Sequence, residues 1–123
     1  MVIKKKTGPA RIWHAFKYSM AGLKASIRYE TAFRQELVLF FLLLPVIILL
    51  PISITYKLIL LIVNSLVLVA ELLNSAIEAV VDMTSPNYHD LAKRAKDTAS
   101  AAVFITLLLA AITWTTACFV AFK

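Results

Sequence analysis

Apolar residues gather into three long runs along the chain, separated by short polar segments. The runs cover residues 33–50, 58–83 and 99–122, and the first is interrupted by a short polar patch and by Pro45. At about 1.5 Å per residue, each run is long enough as a helix to cross a hydrocarbon layer of about 30 Å. The pattern therefore predicts an all-α membrane protein with three transmembrane helices, the first of them kinked at Pro45.

A different pattern precedes the first run. From Pro9 to Arg28, apolar residues recur at steps of three and four, and basic residues gather on the opposite side. This periodicity predicts an amphipathic helix that lies on the membrane surface, with Pro9 in its first turn. Packing of this helix on the protein's own spans is an alternative, and the two interpretations are compatible. Residues 1–8 are expected to form a short, mobile, basic tail.

Two turn signals separate the three runs. The segment that begins at Pro51 predicts a short turn between the first two spans. Thr84 to Asn87 predicts the second turn, because Pro86 cannot continue the preceding helix. A helix is expected to restart near Tyr88 and to continue into the third span.

The composition agrees with a single membrane domain over residues 1–123. Of the 123 residues, 61% are hydrophobic, which is well above the roughly half that soluble domains contain. The two glycines exclude a glycine-rich phosphate loop, and no Cys/His cluster predicts a zinc site. Cys118 lies in the third run and is expected to be a small packing residue.

The basic residues predict the orientation. Of thirteen Lys and Arg residues, eight precede or open the first span and three lie between the second and third. The positive-inside rule then places the N-terminus and residues 84–97 of this multi-pass protein on the cytoplasmic side of the membrane. A signal peptide is not expected. Despite a net charge of +6, nucleic-acid binding is not expected of so apolar a chain.

The second run carries a stripe of polar residues on one helical face. Its members are Asn64, Glu71, Asn74, Ser75, Glu78 and Asp82. An ionisable group facing lipid costs at least a few kcal/mol, so the stripe must face protein or water. Hydrogen bonds between helices would explain Asn64 and Ser75. Three carboxylates on one face instead indicate cations, and a divalent metal near the inner surface is the natural partner.

Further charged residues are predicted at the same membrane boundary. They are Glu30, Glu36, Lys96 and Asp97. Each of them alone could be an ordinary charged residue that reaches out of the membrane edge. Carboxylates together with a lysine at one interface are also what binding of MgATP requires.

These residues resemble the signature of the prokaryotic diacylglycerol kinase family. The segment ELLNSAIEAVVD from Glu71 to Asp82 carries the resemblance most specifically. Tyr88-His89, the segment from Ala92 to Asp97 and the segment from Ser100 to Val103 continue it. Thr7-Gly8, Arg11, Tyr18, Gly22-Leu23, Glu30 and the segment from Ala32 to Glu36 extend it to nearly the whole chain.

The resemblance implies a homotrimeric lipid kinase that phosphorylates diacylglycerol from MgATP, with active sites between neighbouring subunits. Glu71 matches the catalytic base, and Asn74 is the residue that would orient it. Glu30 and Glu78 match the carboxylates that hold Mg²⁺ on the ATP phosphates. The predicted ATP contacts are Arg11, Tyr18, Glu30, Glu78, Asn87, Tyr88, His89, Lys96 and Asp97. Asn87 stands where the family pattern has Glu, so the base preference stays open. The predicted lipid contacts are Arg11, Lys24, Arg34, Glu36, Glu71, Ser100 and Trp114.

Other functions are compatible with parts of the pattern. A sister branch of the same family phosphorylates undecaprenol, although the motif variants resemble the diacylglycerol branch more closely. A small proton-coupled transporter would use a buried Glu71 as its carrier group. It would not explain the crowding of Glu78, Asp82, Lys96 and Asp97 at one interface. A purely structural membrane protein would tolerate Glu71→Gln.

Overall fold

The computed structural model describes residues 7–123, which form four α-helices joined by short turns. Residues 1–6, which include most of the predicted mobile tail, lie outside the described residues. In chain order the helices are α1 (Gly8–Tyr29), α2 (Thr31–Leu49), α3 (Ile54–Thr84) and α4 (Asp90–Phe122). The predicted all-α architecture is confirmed. The helix predicted to restart near Tyr88 begins at Asp90.

The amphipathic helix α1 lies outside the packed part of the chain. Gly8 starts it with a φ of +67°, a left-handed conformation that glycine adopts without a steric penalty, and Pro9 follows in the first turn. No residue of α1 is buried, and apolar side chains such as Ile12 and Phe16 are more than half exposed. Within residues 7–123, therefore, most of its apolar face is left uncovered, as expected of a helix that rests on a membrane surface.

Helices α2, α3 and α4 are each long and apolar enough to cross a membrane, which confirms the three predicted spans. The observed helices extend beyond the predicted runs, most clearly at the start of α4. Pro45 does not end α2, which continues to Leu49. At 31 and 33 residues, α3 and α4 are about 46 and 50 Å long, so they exceed a hydrocarbon layer of about 30 Å.

The two ends of the bundle differ in character. We call the end that carries the α1–α2 corner at Glu30 and the loop 85–89 the charged end. We call the opposite end, with the turn 50–53, the turn end. Near the turn end Ile47, Leu60 and Ala117 form a buried apolar cluster, and Leu60 is fully buried. Helix α3 is central, since it packs mainly against α4 and also against α2.

Large apolar side chains on all three long helices remain exposed. They include Val38, Phe41, Leu42, Ile62, Leu73, Phe104, Ile105 and Phe119. In water a surface of this kind would be an association site, whereas in a membrane it meets lipid or other helices. The fold thus leaves buried polar residues on the inner face of α3 and apolar residues outside.

Candidate active site

Glu71 is a buried acid near the midpoint of α3. Its side chain is only 7% exposed, in the middle of α3, while Glu78 is half-buried about two turns nearer the charged end. Glu30 lines one groove with Ser75 and Ala79 of α3, and Glu36 lines a cavity with Asn64 and Val67 of the same helix. Three helical segments, the α1–α2 corner, α2 and α3, therefore bring four carboxylates into one region.

Asn74 lies between Glu71 and Glu78 and bonds to the second of them. Its Nδ2 donates to Glu78 Oε1 over 3.3 Å, while its Oδ1 is buried without a hydrogen-bond partner. A buried amide oxygen of this kind can accept a hydrogen bond from a donor group. The hydrogen bond fixes Glu78, whereas the predicted role of Asn74 in orienting Glu71 stays a prediction.

The loop of the charged end forms a cleft of about 390 Å³. Five of the residues predicted to contact ATP line it, namely Asn87, Tyr88, His89, Lys96 and Asp97. The loop is held locally, because His89 Nδ1 accepts a hydrogen bond from the Leu91 N–H over 3.0 Å and so caps α4. The Tyr88 hydroxyl donates to Asp90 Oδ1 over 2.9 Å.

Two ion pairs line the same cleft. Lys96 Nζ lies 2.5 Å from Asp82 Oδ1 and joins α4 to α3, while Lys93 Nζ lies 2.6 Å from Asp97 Oδ2 within α4. All four side chains are well exposed, so each pair contributes little stability and its charges remain available to a ligand. Asp82 and Lys93 were not among the predicted site residues. Asp82 belongs to the polar stripe of the second span. For Lys93, the signal in the sequence is its i,i+4 spacing to Asp97.

A second, larger groove of about 720 Å³ separates α1 from α3. Small residues line both sides, among them Gly22 and Ser26 on α1 and Ser75 and Ala79 on α3. Glu30 also lines it. The groove lies beside the segment of α3 that carries Glu71 and Glu78, so a lipid headgroup could reach these carboxylates from the membrane side.

Other predicted site residues on α1 are not brought to the cleft within one chain. Arg11, Tyr18 and Lys24 are exposed on α1, and they do not line the cleft of the charged end. Arg34 instead bonds at the corner between α1 and α2, where Nη1 donates to Ile27 O and Arg28 O over 2.9 and 3.0 Å.

The remaining predicted lipid contacts lie further along α4. Ser100 is exposed, and Trp114 is half-buried with its Nε1–H donating to Asn64 Oδ1 over 2.9 Å. This bond supports the interpretation of Asn64 as a link between helices. A small cavity of about 130 Å³ adjoins the pair and also touches Glu36.

A magnesium ion binds oxygen ligands in a nearly octahedral arrangement. Within residues 7–123, no three His, Cys, Asp or Glu side chains are arranged to hold a metal ion. Mg²⁺ that arrives with a nucleotide needs only one or two carboxylates, since phosphate and water supply the other ligands. Glu78, held by Asn74, and Glu30 at the rim of the groove are oxygen donors of the required kind. The residues present therefore fit a nucleotide-bound ion.

Comparison with known proteins identifies the family. The sequence matches the family described as prokaryotic diacylglycerol kinase over residues 17–118. It is 47% identical to a protein named diacylglycerol kinase from Pseudomonas aeruginosa over 113 residues, which cover 92% of each chain. It is 45% identical to the protein of that name from Escherichia coli (strain K12) over 108 residues, 88% of each chain. For the one from Helicobacter pylori (strain 26695) the identity is 38% over 110 residues, 89% of this chain and 86% of the relative. The chain, with its buried Glu71 and its charged cleft, therefore belongs to the prokaryotic diacylglycerol kinase family.

Proposed function

We propose that this protein is an ATP-dependent kinase that phosphorylates diacylglycerol to phosphatidic acid at the cytoplasmic surface of the bacterial inner membrane. The observation that carries the proposal is the buried carboxylate Glu71 on α3, the helix that also lines the groove beside α1 and, at its end, the cleft of charged residues. Membership in the family supports the reaction, because several relatives bear the name diacylglycerol kinase.

The proposed reaction uses both the groove between α1 and α3 and the cleft at the charged end. A diacylglycerol hydroxyl enters along the groove between α1 and α3, and Glu71 accepts its proton as a general base. The hydroxyl oxygen then forms a bond to the γ-phosphorus of ATP as the bond to the β–γ bridging oxygen breaks, and ADP leaves.

The cleft is the proposed nucleotide site. Lys96, with Asn87, Tyr88, His89 and Asp97 beside it, would contact ATP. Glu30 and Glu78 would hold Mg²⁺ on the phosphates, and the bound ion would neutralise the charge that develops on the transferred group. Asn74 keeps Glu78 in place through its hydrogen bond.

The lipid-side roles stay proposals. Arg11 and Lys24 lie on α1, and Arg34 and Glu36 lie in the first turns of α2. Ser100 and Trp114 lie on α4.

We further propose that three copies assemble into the active unit. The exposed apolar faces of α2, α3 and α4 offer surfaces for helix–helix contact in the membrane. Arg11 and Tyr18 are exposed and do not line the cleft of their own chain, which supports a site that a neighbouring copy completes. The basic N-terminal helix and the basic segment 93–96 support a cytoplasmic charged end.

The activity can be tested directly. Purified protein in lipidic mesophase receives dioleoylglycerol and MgATP, and ADP release is followed beside a Glu71→Gln variant. Lipid-dependent ADP release that disappears in the variant supports the proposal. ADP release with undecaprenol only would reassign the substrate, and silence with both lipids would contradict a lipid kinase.

A further inference from the structure

The corner between α1 and α2 is made by a single residue. Glu30 has an extended backbone, with φ −112° and ψ 106°, and it caps both helices. Its N–H donates to Ser26 O over 3.0 Å, and its carbonyl accepts from the Arg34 N–H over 3.1 Å. Glu30 therefore lies at a bend, and its side-chain position depends on the angle at which the two helices meet.

The guanidinium of Arg34 spans this bend. Nη1 donates to Ile27 O at 2.9 Å and Arg28 O at 3.0 Å, and Nη2 donates to Thr31 Oγ1 at 3.1 Å. The last carbonyl groups of a helix have no partner within the helix, and a cation there also interacts favourably with the helix dipole. Arg34 thus ties the end of α1 to the first turn of α2.

Few other contacts hold α1 in place. No α1 residue is buried, and its contacts with the rest of the chain are concentrated at α2. A membrane would hold the apolar face of α1 at the surface, but it would not set the direction in which α1 leaves the bundle. The hydrogen bonds of the corner are the observed contacts suited to set that direction.

We propose that Arg34 is a positioning residue, which fixes the corner so that Glu30 meets the nucleotide-bound cation. The inference rests on the proposed function, because it assigns Arg34 an action through Glu30. Glu30 lines the groove together with Leu72, Ser75 and Ala79 of α3, the segment that carries Glu71 and Glu78. A corner that opens would move this carboxylate away from Glu71 and Glu78.

The planar guanidinium group of Arg34 allows a positioning role to be distinguished from a role as a charge that attracts a lipid headgroup. Arg34→Lys keeps the positive charge, but an ammonium does not reproduce the paired geometry of a guanidinium. If Arg34 acts by positioning, Arg34→Lys and Arg34→Gln should both impair cation binding. If it acts by charge, Arg34→Lys should behave like the wild type.

The structure supplies two matched controls. Lys57 Nζ donates to Ile48 O over 2.6 Å, which is the same kind of contact at the turn end, far from the carboxylates. Arg28 carries the same charge beside the corner, but its guanidinium lies 5.4 Å from the centre of the Tyr29 ring. Lys57→Gln therefore controls for the loss of a helix-end contact, and Arg28→Gln controls for the loss of a nearby charge.

The experiment measures Mn²⁺ binding in the presence of a non-hydrolysable ATP analogue, through the electron paramagnetic resonance signal of free Mn²⁺. Backbone hydrogen exchange of residues 26–34 and the KM for dioleoylglycerol are measured on the same full-length variants. We expect both Arg34 variants to bind Mn²⁺ about tenfold more weakly, with faster exchange at the corner, and both controls to bind it as the wild type does.

Each other result overturns the inference. Unchanged exchange would show that Arg34 does not hold the corner, and faster exchange with unchanged Mn²⁺ binding would show that the corner does not position Glu30. A raised KM for lipid in Arg34→Gln alone would make Arg34 a lipid contact. The binding and exchange measurements need no turnover, so a wild-type protein that binds Mn²⁺ with the nucleotide but releases no ADP would contradict the proposed function only.

Discussion

The turn end and the charged end of the bundle use the same three helices in opposite ways. At the turn end, α3 buries Leu60 against Ile47 and Ala117, and the buried Asn64 bonds to Trp114 on the next helix. Towards the charged end, α3 buries the carboxylate Glu71 in place of an apolar side chain, and Asn74 donates a hydrogen bond to Glu78 of the same helix.

Along the single helix α3, the residues that stabilise the fold lie apart from the residues that are proposed to act in the reaction. Close packing of apolar side chains and satisfied hydrogen bonds holds helices together. Carboxylates gathered on one face repel each other and are tolerated because a ligand or a cation can offset the repulsion. Changes at the charged end should therefore act on activity and changes at the turn end on stability, as the following predictions test.

The largest effect is expected for Glu71→Gln. Removing the proposed general base should lower kcat by on the order of 10²–10⁴-fold, because the lipid hydroxyl loses its proton acceptor. The variant should still fold, since glutamine has nearly the same volume. ADP release per folded protein measures the effect, and Ser65→Ala is the control because the Ser65 hydroxyl bonds to Leu61 O of its own helix. Near wild-type turnover in Glu71→Gln would remove Glu71 from the mechanism.

A smaller loss of activity is expected for Asn74→Leu. The change removes the hydrogen bond to Glu78, and losing a partner of this kind typically costs about 10–100-fold in metal affinity or activity. The Mg²⁺ concentration that gives half-maximal ADP release should rise, while thermal stability stays close to the wild type. If kcat falls with no change in Mg²⁺ dependence, Asn74 serves Glu71 and not Glu78.

Leu60→Ala should show the converse behaviour. Leu60 is fully buried at the turn end, and the cavity left by its truncation should destabilise the fold by about 2 kcal/mol. Activity per folded molecule should be retained, because no proposed site residue touches this cluster except Trp114. Unfolding in detergent mixtures measures the loss. A large fall in kcat at full folding would break the separation between the two ends.

The smallest effect is expected for Asn64→Val. The change breaks one hydrogen bond between α3 and α4, and such bonds contribute about 0.6 kcal/mol on average within membranes. The indole N–H of Trp114 would then lose its partner, so its fluorescence should change in a Trp13→Phe background. Unchanged fluorescence would contradict the observed bond.

Much of the site was predictable because membrane chemistry leaves few choices. Charged residues on a hydrophobic helix must share a protected face, so Glu71, Glu78 and Asp82 could be grouped from their spacing alone. The resemblance of the segment from Glu71 to Asp82 pointed to the family, which the comparisons then established. The pairing of Asp82 with Lys96 and of Asn64 with Trp114 was not predictable, since each joins residues on different helices.

Helical periodicity and the cost of charge in lipid act locally, so the three spans, the amphipathic first helix and the face on which the carboxylates lie could all be predicted from the order of residues. Which side chains meet across helices depends on the packing of the bundle. That packing brings Lys96 of α4 to Asp82 of α3, places the loop 85–89 against the end of α3, and turns Arg34 back onto the carbonyl groups of α1. These contacts depend on the angles between helices, which follow from packing along the whole bundle and not from any one segment.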